Sequence, residues 1–199
     1  MSILRVSRMG HPVLRQSATA IDPTQIKHPD LQRLVDDMID TMSDYEGIGL
    51  AAPQVFQSLR LIVLGVPNTD PEDENSIPLT VLFNPEFAAM SEEVTSGWEG
   101  CLSIPDVRGV VPRSTSVTVR AFDREGQSIT FEARDFFARV LQHEVDHLDG
   151  VLFLDRMEDL DTLSFLEEYQ RYWIEEGEED EGDEGDEGDE GDEGDEGDD

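Results

Sequence analysis

The chain has a single lysine and a single cysteine, only four histidines, and no apolar run that approaches the length of a membrane span. Each scarcity narrows what it can be. Lys27 stands against 13 arginines in a strongly acidic background, the balance expected of a protein kept hydrated by carboxylates at high salt. Loss of solubility on removing salt is the matching expectation. With Cys101 alone, no intrachain disulfide can form, so the thiol is either a packed small hydrophobe or a working group. The opening Met1-Ser2-Ile3-Leu4-Arg5-Val6 lacks the apolar stretch of a signal peptide. No membrane partner and a reducing cytoplasm are therefore the expectation.

Cations are also few: 14 lysines and arginines face 47 acids, for a net charge of −33. The excess is uneven. Residues 175–199 contain only Glu, Asp and Gly, with 18 acids and 7 glycines. Taking those 18 from 47 leaves 29 acids against 14 bases, a net −15 for the other 174 residues. A block with no apolar residue buries nothing to offset its ordering entropy, so 175–199 reads as a disordered acidic tail on one domain, 1–174. The acidic body excludes direct nucleic-acid binding as a main role.

Apolar spacing gives the elements. Ile3–Val6 reads as a short strand, and Gly10-His11-Pro12-Val13-Leu14-Arg15 as a turn and loop. Leu31, Leu34, Val35, Met38, Ile39 and Met42 repeat at three and four, which predicts a helix over 29–44. Glu46-Gly47-Ile48-Gly49-Leu50-Ala51-Ala52-Pro53-Gln54 is small and tightly turned, without the lysine of a phosphate loop. Strands are predicted at 59–66, 79–83, 92–95 and 127–133, with a hairpin or meander between Val107 and Phe122, and an acidic loop at 68–76. A helix capped at Asp135 and closed by Gly150 carries apolar residues round most of its circumference, so it belongs inside a core. A last helix is predicted over 159–174. Strands that do not alternate with helices indicate an α+β fold, with short, mainly antiparallel strands around the central buried helix.

That helix carries the chemistry, in Gln142-His143-Glu144-Val145-Asp146-His147. Histidines four apart lie about 6 Å apart along a helix axis on one face, which suits one metal ion, with Glu144 beside them to take a proton from a bound water. The plain alternative is a helix that happens to carry two histidines; it is weakened because half of the chain's histidines fall here. A third ligand can be narrowed by exclusion. Phe153 occupies the place where one protease class has a third histidine. Only 52 residues follow His147, too few for the helical domain that presents a distant glutamate in another class. Cys101 remains, in Gly97-Trp98-Glu99-Gly100-Cys101-Leu102-Ser103. A thiolate with two imidazoles suits Zn²⁺, Fe²⁺, Co²⁺ or Ni²⁺ and leaves a position open for water. Asp146, off the histidine face, reads as a salt-bridging residue.

Gly47-Ile48-Gly49-Leu50-Ala51-Ala52-Pro53-Gln54, Glu99-Gly100-Cys101-Leu102-Ser103 and His143-Glu144-Val145-Asp146-His147, in this order, resemble the three signature motifs of the peptide deformylase family. The segment Gly10–Arg15 is also similar to that family's opening, and the resemblance runs from Ile3 to about Ile174. It implies a hydrolase that removes the formyl group from the N-terminal formylmethionine of nascent polypeptides. It implies metal ligands Cys101, His143 and His147, with Fe²⁺ as the native ion and Ni²⁺, Co²⁺ or Zn²⁺ as substitutes. It further implies Glu144 as base and acid, and the Gln54 amide and Leu102 backbone N–H as donors to the developing oxyanion. Ile48, Phe136 and Val140 are the candidates for the methionine pocket; Gly49 and Gly100 line the peptide path. Arg108 and Arg113 could bind substrate carbonyls, or pair with Glu99. The expected enzyme is a monomer in transient proximity to the ribosome, although the acidic tail departs from the basic extension that some relatives use there. A His-Glu-x-x-His endopeptidase and an inactive binding module are the alternatives.

Overall fold

A computed structural model describes residues 2–66 and 76–174. Most of the expected acidic loop and the whole tail at 175–199 lie outside the described residues. The elements run α1 (Pro29–Asp44), β1 (Gly49–Ala51), β2 (Leu61–Leu64), β3 (Thr80–Met90), β4 (Val94–Cys101), β5 (Ile104–Ser114), β6 (Ser116–Phe122), β7 (Ser128–Arg134), α2 (Asp135–Leu148), β8 (Ser164–Phe165) and α3 (Leu166–Tyr169). Gln170–Ile174 continues α3 with a wider helical turn.

Two sheets form, one ordered β1-β2-β3-β6-β7 and one ordered β4-β5-β8, and every strand pair is antiparallel. The fold is α+β, as expected. Strand β2 explains how the larger sheet is covered. All four of its residues are buried, Ile62 and Leu64 packing with α2 residues while Leu61 and Val63 pack with α1 residues. Side chains alternate across a strand, so a run that is apolar on both faces needs a layer on each side. Here α1 and α2 are those layers.

Helix α1 begins and ends where the sequence reading has it. His28 Nδ1 accepts from the Asp30 N–H at 3.3 Å, Pro29 fills the first helical position, and the Gly47 N–H donates back to Met42 O at 2.8 Å. Helix α2 begins one residue earlier in cap terms: Arg134, not Asp135, holds the capping position, and Asp135 is already helical despite φ 49°. Its far end is a glycine cap. The Val151 N–H reaches Asp146 O at 2.9 Å, and the Gly150 N–H reaches His147 O at 3.4 Å. Gly150 has φ 76°, and a side chain there would also meet the Arg15 backbone at 2.8 Å. The turn that ends the helix therefore also seats it on the N-terminal segment.

Three expectations are corrected. Ile3–Val6 forms no strand: the Leu4 N–H donates to Thr41 Oγ1 (2.8 Å), and the neighbouring Ser7 N–H to Gln54 O (2.7 Å). The strand predicted at 79–83 does not end there, at Asn84-Pro85. Strand β3 runs on to Met90 through a register shift, with Asn84 at φ 51° and its amide paired to both the N–H and the C=O of Ile21. The last helix starts at Leu166 rather than Asp159, because Ser164 and Phe165 pair with Arg108 and Val107 of β5.

Candidate active site

A cleft of about 560 Å³ opens between the β1 edge, the β4–β5 hairpin and the exposed side of α2. The β1 segment contributes Ile48, Gly49 and Gln54, the β4–β5 hairpin Gly100, Cys101, Leu102 and Arg108, and α2 Phe136, Val140, His143 and Glu144. Every sequence-predicted site residue except His147 and Arg113 lies on the cleft surface. His147 is 1% exposed and stands behind the other two ligand candidates.

Local structure puts each group there. β4 and β5 are joined through the two-residue turn Leu102-Ser103, with Cys101 paired to Ile104, so the thiol sits at the hairpin tip. Gln54 lies on a 3-10 turn directly after β1, with Phe56 in the left-handed conformation (φ 64°) ending it. Its Oε1 accepts from the Ala51 N–H at 2.8 Å, which turns Nε2 toward Ser103 Oγ (3.2 Å) and Cys101 Sγ (3.6 Å). Ser103 is fully buried and was not singled out from sequence. The Met9 N–H holds its carbonyl at 2.8 Å, so the N-terminal strap fixes both motifs.

The donor atoms of Cys101, His143 and His147 all lie within 4.8 Å of one another. His147 Nε2 is 3.2 Å from Cys101 Sγ, and the two imidazole centroids are 5.0 Å apart and nearly perpendicular. His143 Nδ1 is engaged by Glu99 Oε2 at 2.9 Å, which leaves Nε2 for a ligand. One sulfur and two nitrogens, buried and converging, fit a borderline divalent cation. Burial pushes the Cys101 thiol up, but the two histidines outweigh it and hold it well below its usual value. His143 goes the other way: burial lowers it, and Cys101 and Glu99 raise it well above the usual range. A thiolate is thus favoured before any cation arrives.

Glu144 is 4% exposed, its Oε2 has no hydrogen-bond partner, and burial raises its pKa. Its carboxylate lies hard against Gly49, where a Cβ would come within 2.8 Å of Glu144 Cγ. Gly49 is therefore glycine for the sake of Glu144 as well as for the open face of β1. At Gly100 the Arg108 guanidinium takes the same space.

Behind the histidines lies a buried ionic network. Arg113 donates through Nε and Nη2 to the two oxygens of Glu99 (2.9 and 3.0 Å) and through Nη1 to Asp146 Oδ2 (2.6 Å). Arg113 thus pairs with Glu99, the second of the two roles open to it. Asp146 also takes Arg156 (2.7 and 3.1 Å), in keeping with a salt-bridging rather than ligating role. Arg139, which sequence reasoning passed over, donates to Glu99 Oε1 at 3.0 Å. Burial would raise the Glu99 pKa, but His143 and Arg113 bring it down to about 2.

The family model of polypeptide deformylase matches residues 3–162. Peptide deformylase 2 of Nostoc sp. is 44% identical over 170 residues, covering 84% of this chain and 93% of that protein. Among solved structures, the Met-Ala-Ser-bound class I type b peptide deformylase of Acinetobacter baumannii is 38% identical. That match covers 79% of this chain and all of the other, with a TM-score of 0.74. The peptide deformylase of Thermotoga maritima is 34% identical, covering 80% of this chain and 100% of its own, with a TM-score of 0.72.

Proposed function

The chain belongs to the polypeptide deformylase family, and from that premise we propose how its own residues carry out the reaction. The activity is hydrolysis of the formyl amide at an N-terminal formylmethionine: water adds to the formyl carbon, the C–N bond breaks, and formate and a free amine leave. The internal-peptide-bond alternative is not favoured by any of these relatives.

Cys101, His143 and His147 are the residues that would hold the metal on which the family depends. When bound, such a cation polarises the formyl oxygen and lowers the pKa of a coordinated water toward neutrality. Fe²⁺ is the native ion in this reading, with Zn²⁺, Ni²⁺ and Co²⁺ as substitutes.

Glu144 takes the proton of the attacking water and returns it to the leaving nitrogen. Its raised pKa and unpartnered oxygen suit both halves of that task. Gln54 Nε2, oriented by the Oε1 bond to Ala51, and the Leu102 N–H donate to the oxygen as it gains charge, each contributing about 3 kcal/mol of barrier reduction. Ile48, Phe136 and Val140 bound the methionine side chain. The free edge of β1 at Gly49, with Gly100 and Arg108 opposite, receives the peptide backbone. A Met-Ala-Ser peptide bound to the A. baumannii relative supports that occupant.

The single observation that carries the reading is Glu144 buried, unpaired and packed on Gly49 beside the three converging donors. Formate release from formyl-Met-Ala-Ser by anaerobically purified protein tests it. Glu144→Ala is expected to lower kcat about 10²- to 10⁴-fold; undiminished turnover sinks the assignment.

The catalytic unit in this proposal is 1–174, and 175–199 is a solubilising appendage. Deleting 175–199 should leave kcat/KM on the same tripeptide within about twofold, and loss of turnover would overturn that division. No helix of the described residues is long and apolar enough to cross a membrane. We place the enzyme in the cytoplasm as a monomer, meeting nascent chains near the ribosome without binding nucleic acid.

A further inference from the structure

Both ends of the Gln54 amide are engaged inside the protein, and the residue is 2% exposed. Its orientation is fixed by chemistry. The Ala51 backbone N–H can only donate, so the amide atom 2.8 Å from it is Oε1 and the other is Nε2. A carboxamide nitrogen carries two N–H groups that diverge in one plane. Ser103 Oγ, 3.2 Å away, takes one of them. The other faces Cys101 Sγ at 3.6 Å, a long contact to a weak acceptor. This second N–H therefore points at the ligand triad, where an oxygen that gains charge can claim it.

Ser103 is fully buried, and the roles assigned above leave its hydroxyl unused. It is the second residue of the turn that joins β4 to β5, directly after Leu102, whose N–H is the other donor to the developing charge. One residue thus links both donors: its backbone continues from Leu102, and its hydroxyl holds Gln54 from 49 positions away. The N-terminal strap closes the arrangement. The Ser7 N–H donates to Gln54 O at 2.7 Å, and the Met9 N–H to Ser103 O at 2.8 Å. Backbone bonds fix where the two segments sit, and the hydroxyl fixes how the amide is turned between them.

We propose that Ser103 is a positioning residue for the hydrolysis: its hydroxyl takes one N–H of Gln54 and so keeps the other aimed at the formyl oxygen as it gains charge. This rests on the deformylase reading and deepens it. Without the hydroxyl, a buried N–H loses its acceptor and the amide tilts toward the one that remains, Cys101 Sγ. The donor is then misaimed at the moment charge develops, while ground-state binding of the peptide, which does not use that N–H, is kept.

Formate release from formyl-Met-Ala-Ser tests this in a double-mutant cycle. Ser103→Ala should lower kcat about tenfold or more with KM within about twofold, a smaller loss than the roughly 10²- to 10³-fold of removing the donor outright in Gln54→Ala. In the Gln54→Ala background the same Ser103→Ala change should alter kcat by less than about twofold, because no amide remains to aim. A packing role for Ser103 would give the same loss in both backgrounds. The second readout needs no turnover. In Zn²⁺-loaded protein, a Gln54 Nε2 proton, assigned by its absence in Gln54→Ala, should show a nuclear Overhauser contact to the Ser103 β-protons. In Ser103→Ala both Nε2 protons should shift and exchange faster with solvent. Should Ser103→Ala fail to fold, the contact in the wild type still decides. A wild-type kcat in Ser103→Ala, equal losses in the two backgrounds, or no contact between Gln54 and Ser103 overturns the proposal. Wild-type protein that releases no formate from formyl-Met-Ala-Ser would instead sink the functional reading on which it rests.

Discussion

His143 and His147 occupy consecutive turns of one helix and are held in opposite ways. His143 lines the cleft, and its Nδ1 is fixed by Glu99, which Arg113 and Arg139 fix in turn. His147 lies beneath it, and its Nδ1 is buried without a hydrogen-bond partner. No carboxylate reaches that Nδ1, so the close-packed interior around a side chain only 1% exposed must set its rotamer. The difference follows exposure. A ligand at the cleft surface needs a polar brace to keep one rotamer and one tautomer. A ligand inside a close-packed core has its rotamer set by its neighbours. One half of the site should therefore respond to charge and pH, and the other to volume.

The largest expected effect comes from removing the centre of the brace. Arg113 is 5% exposed and faces two carboxylates that are nearly as buried. Arg113→Met leaves both short of their main partner and should cost about 3–5 kcal/mol of stability, measured by urea unfolding. A loss below about 1 kcal/mol would mean that packing holds both histidines alike.

Next comes the pH dependence of the brace. The Glu99 pKa is about 2 in the folded protein, against 4.5 for an ordinary glutamate. A depressed carboxylate pKa stabilises the fold above the unfolded value, and that contribution disappears as pH falls from about 4.5 to about 2. The part of the acid-induced loss due to Glu99 is on the order of 3 kcal/mol, from the size of that shift. In Glu99→Gln this steep part of the stability–pH curve should flatten, and metal affinity, read by competition with a chelator, should fall about 10- to 100-fold. A curve identical to wild type would remove Glu99 as the brace of His143.

Sequence alone gave the site more fully than the architecture around it. The spacing of His143, Glu144 and His147 is local, and Cys101 followed once Phe153 and the short C-terminal remainder removed the other ligands. Helix α1 was legible at both ends because His28-Pro29 and Gly47 are local signals. Features that depend on distant partners were not. Leu160, Leu163 and Leu166 have helical spacing, yet the chain at Ser164-Phe165 is drawn out by pairing with β5. Ile3–Val6 alternates like a strand, but its neighbourhood offers a threonine hydroxyl and a loop carbonyl rather than a sheet edge. Arg139 drew no reading from sequence, because the acceptors that occupy it lie 28 to 44 residues earlier. A charge four residues before a ligand histidine, on its own face, was the signal available.

The smallest effect isolates burial from charge. Asp146 is shared by two arginines: Arg113 reaches it from inside, and Arg156 from the rim, where its side chain is 49% exposed. Both distances are short, at 2.6 and 2.7 Å, so geometry alone would rank the pairs together. Solvent does not. A half-exposed guanidinium competes with water and counterions, and its loss leaves Asp146 still bonded to Arg113. Arg156→Met should therefore cost less than about 1 kcal/mol, and the deficit should shrink further in high salt. Formate release should stay near the wild-type rate, because His143 is braced through Glu99 rather than through Asp146. A loss as large as that of Arg113→Met would show that the two arginines act as one unit, with the rim as much a part of the brace as the core.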